Sequence, residues 1–379
     1  MNAIRLSSLI TIPNACPLSP GTGNLSPALS SWWFDFLALF TLHSSLSLTP
    51  DTPNLLLKPD TCSKILVTGG AGFIGSHLVE RLIASGHGPV CVLDNLQRGC
   101  KENLTSCWDR LEFLLGDIRD AQCVRSALKD VGVVFHLAAQ SNVLGAVHDI
   151  DHSFSTNVIG TFNVLRAARH AGAKRVVFTS SREVYGDPDQ LPVPESASLR
   201  PKNAYGASKV AGEAYCQAFG YDGLETVVLR LANVYGPRDR DRVIPLFVEN
   251  ALMGKPMTIN GGDQIVDFVG IGVVLDALIQ AGLGEYLNGP VNVASGKGTT
   301  IRELGIRVLT ETSTEVAVQY VSQHPAEVVG FVADLTRAKR DLKMDSPEDP
   351  LSHLDEVIAF TRNRFASRKV AVGVTSFPP

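Results

Sequence analysis

Lys64-Ile-Leu-Val-Thr-Gly-Gly-Ala-Gly-Phe-Ile-Gly75 decides the fold of this chain. Ile65 to Val67 is a short apolar run of the kind that forms a buried strand. Gly69, Gly72 and Gly75 follow at intervals of three, and Ser76 to Ile83 then carries apolar residues at helical spacing. Strand, glycine turn and helix make the first unit of a dinucleotide-binding fold. One glycine makes the tight turn, one lets backbone approach a pyrophosphate, and one lets helix and strand pack closely. Free N–H groups at the helix N-terminus face the phosphates. Asp94 closes the next apolar run, Val90 to Leu93. An acid at that distance accepts hydrogen bonds from a ribose 2′-OH, which favours NAD over NADP.

Further apolar runs at Leu111–Leu115, Val131–Ala139, Arg175–Phe178 and Thr226–Leu231 read as strands. Between them, Ala121–Lys129 and Phe154–Ala171 have helical periodicity, and 95–101 reads as a polar loop. The alternation predicts an α/β fold, a doubly wound parallel sheet of Rossmann type. Past residue 237 the rhythm breaks into short elements rich in proline and glycine. The expected organisation is a dinucleotide-binding domain over 61–237, to which 261–289 returns. A smaller C-terminal substrate-binding lobe is expected from 238–260 and 290–365, with a tail at 366–379. Residues 1–60 carry few charges and no motif, and are set aside as an atypical, disordered extension.

The chain has 379 residues, 45% hydrophobic and 19% charged, with a net charge of −4. That balance gives no electrostatic case for nucleic acid or an anionic membrane surface. Seven cysteines with no C-x-x-C pair read as free thiols in a reducing compartment, and no metal site is expected. His136 lies inside an apolar run and reads as a packed core residue.

Tyr205-Gly-Ala-Ser-Lys209 carries the chemistry. Residues four apart on a helix share a face. A free phenol has a pKa near ~10, and a nearby ammonium lowers it. Such a tyrosine can take a proton from a secondary alcohol. Ser181, at the end of a strand, can bond the same oxygen. Asp117, just past a strand end, is placed either to meet an adenine amino group or to cap its own loop.

These stretches resemble the extended short-chain dehydrogenases/reductases, and within them the NAD-dependent nucleotide-sugar epimerase/dehydratase family, UDP-glucose 4-epimerase being the nearest type. The resemblance covers about 64–343. It rests on Thr68-Gly-Gly-Ala-Gly-Phe-Ile-Gly75, Leu93-Asp-Asn95, Gly116-Asp-Ile118 and His136-Leu-Ala-Ala139. It rests also on Ser180-Ser181 before Val184-Tyr-Gly186, Tyr205-x-x-x-Lys209, Leu229 to Pro237 and Asn292-Val-Ala-Ser-Gly296. It implies a 4-epimerase with NAD as cofactor, a nucleotide-sugar substrate, a homodimer and a cytoplasmic location. Tyr205, Lys209, Ser181 and Glu183 are the implied catalytic set. Gly69, Gly72, Phe73, Ile74, Gly75, Asp94, Asn95, Asp117, Ile118, Ala138, Ala139, Ser180, Tyr205 and Lys209 are implied to meet NAD. Asn233, Ser181, Val243 and Arg238 are implied to meet substrate.

Two departures stand out. Val266 and His324 occupy places where the family has phosphate-binding arginines. Glu183 follows Arg182, where dehydratases have an Asp-Glu or Ser-Glu pair, which makes a 4,6-dehydratase the weaker reading. Glu183 is either a catalytic group, as in a decarboxylase, or a structural one. A non-catalytic NAD-binding regulator is the remaining rival, and the intact Tyr205, Lys209 and Ser181 argue against it.

Overall fold

The computed structural model describes residues 63–372, and the expected extension 1–60 lies outside them. The first half runs β1 (Lys64–Thr68), α1 (Phe73–Ala84), β2 (Val90–Asp94), β3 (Leu111–Leu115), α2 (Ala121–Ala127), β4 (Val131–His136), α3 (Val143–His148), α4 (Ile150–Phe154), α5 (Gly160–His170), β5 (Arg175–Ser181), α6 (Ala204–Tyr221) and β6 (Glu225–Leu231). Then come β7 (Asn233–Tyr235), α7 (Val243–Leu252), β8 (Met257–Asn260), β9 (Ile265–Gly270), α8 (Ile271–Leu283), β10 (Pro290–Val293), β11 (Gly298–Thr300), α9 (Ile301–Thr312), β12 (Val318–Val321), α10 (Thr336–Asp341) and α11 (Leu354–Val372).

Seven strands form one parallel sheet in the order β10-β6-β5-β4-β1-β2-β3. The order reverses between β1 and β4, and ligands bind at the carboxyl ends of strands at such a switch point. The central strands are buried on both faces, so they read as continuous apolar runs rather than alternating ones. One apolar core, with Val67, Leu78, Phe135 and Leu278, fills one face of the sheet; a second, with Leu66, Leu93, Val134 and Phe178, fills the other. A third lies away from the large sheet and joins Phe247, Met257, Phe268, Leu304 and Leu354.

The structure corrects the sequence reading in four places. The polar loop expected over 95–101 ends one residue early, at the start of a 3₁₀ segment, Lys101–Arg110. The helix expected over 154–171 is interrupted by a π turn at Ser155–Ile159. Pro290–Val293 pairs with β6, so the return to the large sheet runs past residue 289. Helix α11 continues beyond 365 into the expected tail.

His136 sits where expected, fully inside. Its Nδ1 shares a 2.7 Å hydrogen bond with Thr68 Oγ1, and its Nε2 a 3.0 Å bond with Thr161 Oγ1. Burial, helped by the charge of Lys209, depresses its pKa to about 3. A histidine that must stay neutral to be buried stabilises the fold fully above its unfolded pKa of ~6.5. That contribution is lost as pH falls from there toward the folded value. In His136→Gln, the fall in denaturation midpoint between about pH 7 and pH 5 should be shallower than in the parent. Identical slopes would show that His136 does not drive the acid sensitivity.

Candidate active site

The glycine loop is shaped by contacts that exclude side chains. Gly69 has φ +72° and lies so close to β4 that a Cβ would sit 2.7 Å from Ala138 N. A Cβ on Gly75 would sit 2.2 Å from Gly69 O. Helix α1 starts at Gly72 with no side chain capping it, so its first N–H groups, at Phe73 and Ile74, are left for a ligand. Asp94 is 7% exposed at the end of β2. Its Oδ2 accepts from Ala71 N at 2.9 Å and its Oδ1 from Leu96 N at 2.8 Å, which aims the carboxylate at the loop. Each oxygen keeps a second lone pair. Burial raises the pKa of Asp94, and the two backbone N–H groups oppose that. These features fit a dinucleotide with a free ribose 2′-OH. A 2′-phosphate beside Asp94 would cost about 1–3 kcal/mol, so NAD should bind several-fold to a hundred-fold more tightly than NADP. Equal affinities in a titration would remove Asp94 from the site.

Other expected cofactor residues divide. Ala138 and Ala139 lie where β4 ends beside Gly69. Asp117 is tied to Arg119 at 2.8 Å and accepts from Asn95 Nδ2 at 2.9 Å. Chiefly through Arg119, its carboxyl is held down at about 2. Asp117 thus caps its own loop together with Asn95, and the adenine contact stays a proposal. Ile118 packs into the core against Gly160. Ser180 is corrected: its hydroxyl donates to Glu213, so its side chain serves α6 rather than the cleft.

Tyr205 and Lys209 lie in the first turns of α6, which Asn203 caps by accepting from Gly206 N at 2.8 Å. Ser181 ends β5 beside the Tyr205 phenol, its hydroxyl accepting from Glu183 N at 3.2 Å. The Lys209 ammonium donates to Thr179 O at 2.9 Å and stands 5.7 Å from the Tyr205 ring centre. The π turn brings Asn157 to the same helix, where it donates to Ser208 Oγ at 2.9 Å and also grips both backbone groups of Gln140. Such turns recur at functional sites.

Burial pushes the Tyr205 pKa up; the influences pulling it back are led by the charge of Arg242, then the Ser181 hydroxyl, with Arg182 also contributing. Burial lowers Lys209 to about 8. The phenol therefore depends on arginines to which the sequence reading gave no role at the tyrosine. Arg182 is the first residue after β5. Its Nε donates to Asn233 Oδ1 at 2.7 Å and its Nη2 lies 2.9 Å from Glu183 Oε1. The other oxygen of Glu183 accepts from Asn203 Nδ2 at 2.8 Å. Glu183 is thus engaged at both oxygens.

Of the expected substrate contacts, Ser181 and Asn233 come together through this network. Val243 opens α7, half-buried against the third core. Arg238 is corrected. Its guanidinium makes two bonds to Glu80 on α1, at 2.8 and 2.9 Å, and is consumed there. Val266 is buried in the third core and His324 Nδ1 accepts from Ala326 N, so neither position carries a counterpart of the family's arginine. Among the described residues no acid, histidine or cysteine cluster could hold a metal, and no helix is long and apolar enough to cross a membrane.

Comparison with known proteins agrees with this geometry. The family model for the NAD dependent epimerase/dehydratase family matches residues 65–289. The UDP-glucose 4-epimerase of Mycolicibacterium smegmatis is 36% identical over 312 residues, covering 79% of this chain and 99% of that protein. UDP-glucuronic acid decarboxylase 5 of Arabidopsis thaliana is 32% identical over 311 residues, covering 77% and 88%. The crystal structure of Thermotoga maritima UDP-glucose 4-epimerase with UDP-glucose superposes with a TM-score of 0.76 at 33% identity, over 80% of this chain and 99% of that one. With the glycine loop, Asp94 and the Ser181–Tyr205–Lys209 group all in place, the chain belongs to the NAD dependent epimerase/dehydratase family.

Proposed function

We propose that this protein is an NAD-dependent 4-epimerase of a nucleotide sugar, of the UDP-glucose/UDP-galactose type. The observation that carries the reading is the placement of Tyr205 and Lys209 on α6 at the carboxyl edge of the sheet, the Lys209 ammonium 5.7 Å from the Tyr205 ring centre and held by Thr179 O, with Ser181 at the end of β5 beside them. Gly69, Gly72, Phe73, Ile74, Gly75 and Asp94 would hold NAD, whose nicotinamide supplies a reversible hydride acceptor. Tyr205 takes the proton of the sugar 4-OH, and Ser181 holds that oxygen in place as it becomes a ketone. Lys209, fixed by Thr179 O beside the Tyr205 ring, would supply positive charge at the reacting end. The same Tyr205 returns the proton after the 4-keto sugar has turned over in the cleft, so the sugar gains and loses nothing except its C4 configuration. Residues 238–260 and 294–365, around the third core, are assigned to the substrate-binding lobe.

Glu183 distinguishes this reading from a decarboxylase or dehydratase. A 4,6-dehydratase removes the C5 proton with such a Glu; here Arg182 pairs with Glu183 and Asn203 holds its other oxygen, which favours a bracing role. Product analysis on UDP-glucose, UDP-glucuronate and dTDP-glucose tests the choice. The expected product is the C4 epimer, with every carbon retained and no net NADH. Carbon dioxide or a 4-keto-6-deoxy sugar as the main product would overturn it.

A cytoplasmic homodimer completes the proposal. Free Cys91, Cys107 and Cys216 suit a reducing compartment. Exposed Ile150, Phe154, Ile159 and Tyr215 lie on α4, the π turn and α6, which pack together and offer an apolar face for a second copy. Light scattering should give twice the chain mass.

A further inference from the structure

We infer that Arg182 is a substrate-binding residue that selects a hexose bearing its own carboxylate, a hexuronate, over a neutral hexose. The inference rests on the nucleotide-sugar reading and deepens it. Three observations carry it. First, Arg182 is almost wholly enclosed, its side chain 12% exposed, yet Nη1 is buried without a partner. A buried donor of that kind is uncommon in folded proteins and is relieved when an acceptor arrives. Second, the guanidinium stands at the reacting end of the cleft. Its Nε holds Asn233, the preceding residue Ser181 closes β5 beside the Tyr205 phenol, and its charge is felt at that phenol. Third, it is not alone, because Arg242 is the strongest charge acting on the same phenol. Asp239, the partner of Arg242, is 3.7 Å away, too far for a tight pair.

The chemistry of the sugar makes the connection. The proton removed by Tyr205 leaves the oxygen on C4. The C6 substituent hangs from C5, the next carbon of the ring. A group that reaches the phenol therefore reaches C6. The hydroxymethyl of a neutral hexose needs one modest hydrogen bond there. A carboxylate accepting from the unpaired Nη1 makes a charge-assisted bond, roughly twice as strong as a neutral one. Glu183 does not spoil the site, since it occupies Nη2 and leaves Nη1 for the ligand.

The test measures binding and C4 epimerisation of UDP-glucose, UDP-glucuronate and UDP by the NAD-loaded full chain, as parent, Arg182→Gln and Arg182→Lys. The parent should bind UDP-glucuronate about tenfold or more tightly than UDP-glucose, the scale of a charged hydrogen bond. Arg182→Gln should lose that preference, its affinity for UDP-glucuronate falling about tenfold further than its affinity for UDP-glucose, while UDP alone binds within about twofold of the parent. Arg182→Lys should recover part of it. Retained NAD affinity shows that each variant is folded. A parent that turns over UDP-glucose with no preference for the uronate overturns this inference and leaves the epimerase reading standing. Equal losses on UDP alone would assign Arg182 to the diphosphate, and equal losses on both sugars with a displaced pH profile would assign it to Tyr205; each overturns the inference. A chain that binds NAD but no nucleotide sugar overturns both.

Discussion

Tyr205→Phe should bind NAD as the parent does and lose about 10²–10⁴ in turnover. The substitution removes one oxygen and keeps the ring where α6 places it. The Ser181 hydroxyl keeps its bond from Glu183 N at 3.2 Å. Lys209→Met should also be harmful, by a different route. It takes away an ammonium fixed by Thr179 O, and with it the positive charge facing the reacting end. Arg242 and Arg182 remain to favour the phenolate, so the loss should be smaller than in Tyr205→Phe. Raising the pH should then restore part of the Lys209→Met activity, because the phenol ionises in bulk base. It should restore nothing to Tyr205→Phe. In the parent the sign is opposite at Lys209. That amine ionises at about 8, so its charge fades above that pH. Ser181→Ala should show a milder loss at every pH. A Tyr205→Phe enzyme as fast as the parent would end the proposed mechanism.

The fold was legible because its signals are local. A sheet buried on both faces writes itself as runs such as Ile65–Val67 and Val131–Phe135, and a phosphate turn writes itself as spaced glycines. What escaped depends on partners distant in sequence. β10 was placed in the wrong lobe because four residues do not reveal that they pair with β6. Arg238 was read as a ligand group because nothing local shows that Glu80 would bind it from α1. Arg182 was noted only as the residue displacing an acid, since its importance lies in meeting Asn233 and sensing Tyr205 across the cleft. Ser180 is different. Side chains alternate along a strand, so Ser180 and Ser181 must face opposite ways, and placing Ser181 in the cleft excluded Ser180 from it. That signal was present and unused. The π turn left no such trace in the sequence. Its role, carrying Asn157 to Gln140 and Ser208, emerges only when helices α5 and α6 are seen together.

Gly75→Ala should fail for a reason opposite to ordinary helix propensity. Inside a helix, alanine is favoured over glycine by about 1 kcal/mol. Gly272, near the start of α8, has nothing within 4 Å of a built Cβ. Gly272→Ala should therefore be neutral or stabilising by up to about 1 kcal/mol. At Gly75 the added carbon meets Gly69 O at 2.2 Å and Gly70 Cα at 2.7 Å. Both are backbone atoms of the turn, so no side chain can swing aside. Gly69 cannot retreat either, because Ala138 lies against its other side. Either α1 lifts away from β1, or the turn opens. Overpacking of this kind costs about 1–3 kcal/mol and the melting temperature should fall by several degrees. The larger effect should be on the cofactor. The unpaired N–H groups at the start of α1 bind phosphate only if the turn presents them together, and a displacement of the helix by a fraction of an ångström breaks that alignment. NAD affinity should drop by about a hundredfold or more, the equivalent of two charge-assisted hydrogen bonds. In Gly272→Ala it should not change. A Gly75→Ala protein with parental NAD affinity and melting temperature would mean that α1 does not seat against the turn, and that the dinucleotide is held elsewhere on the sheet.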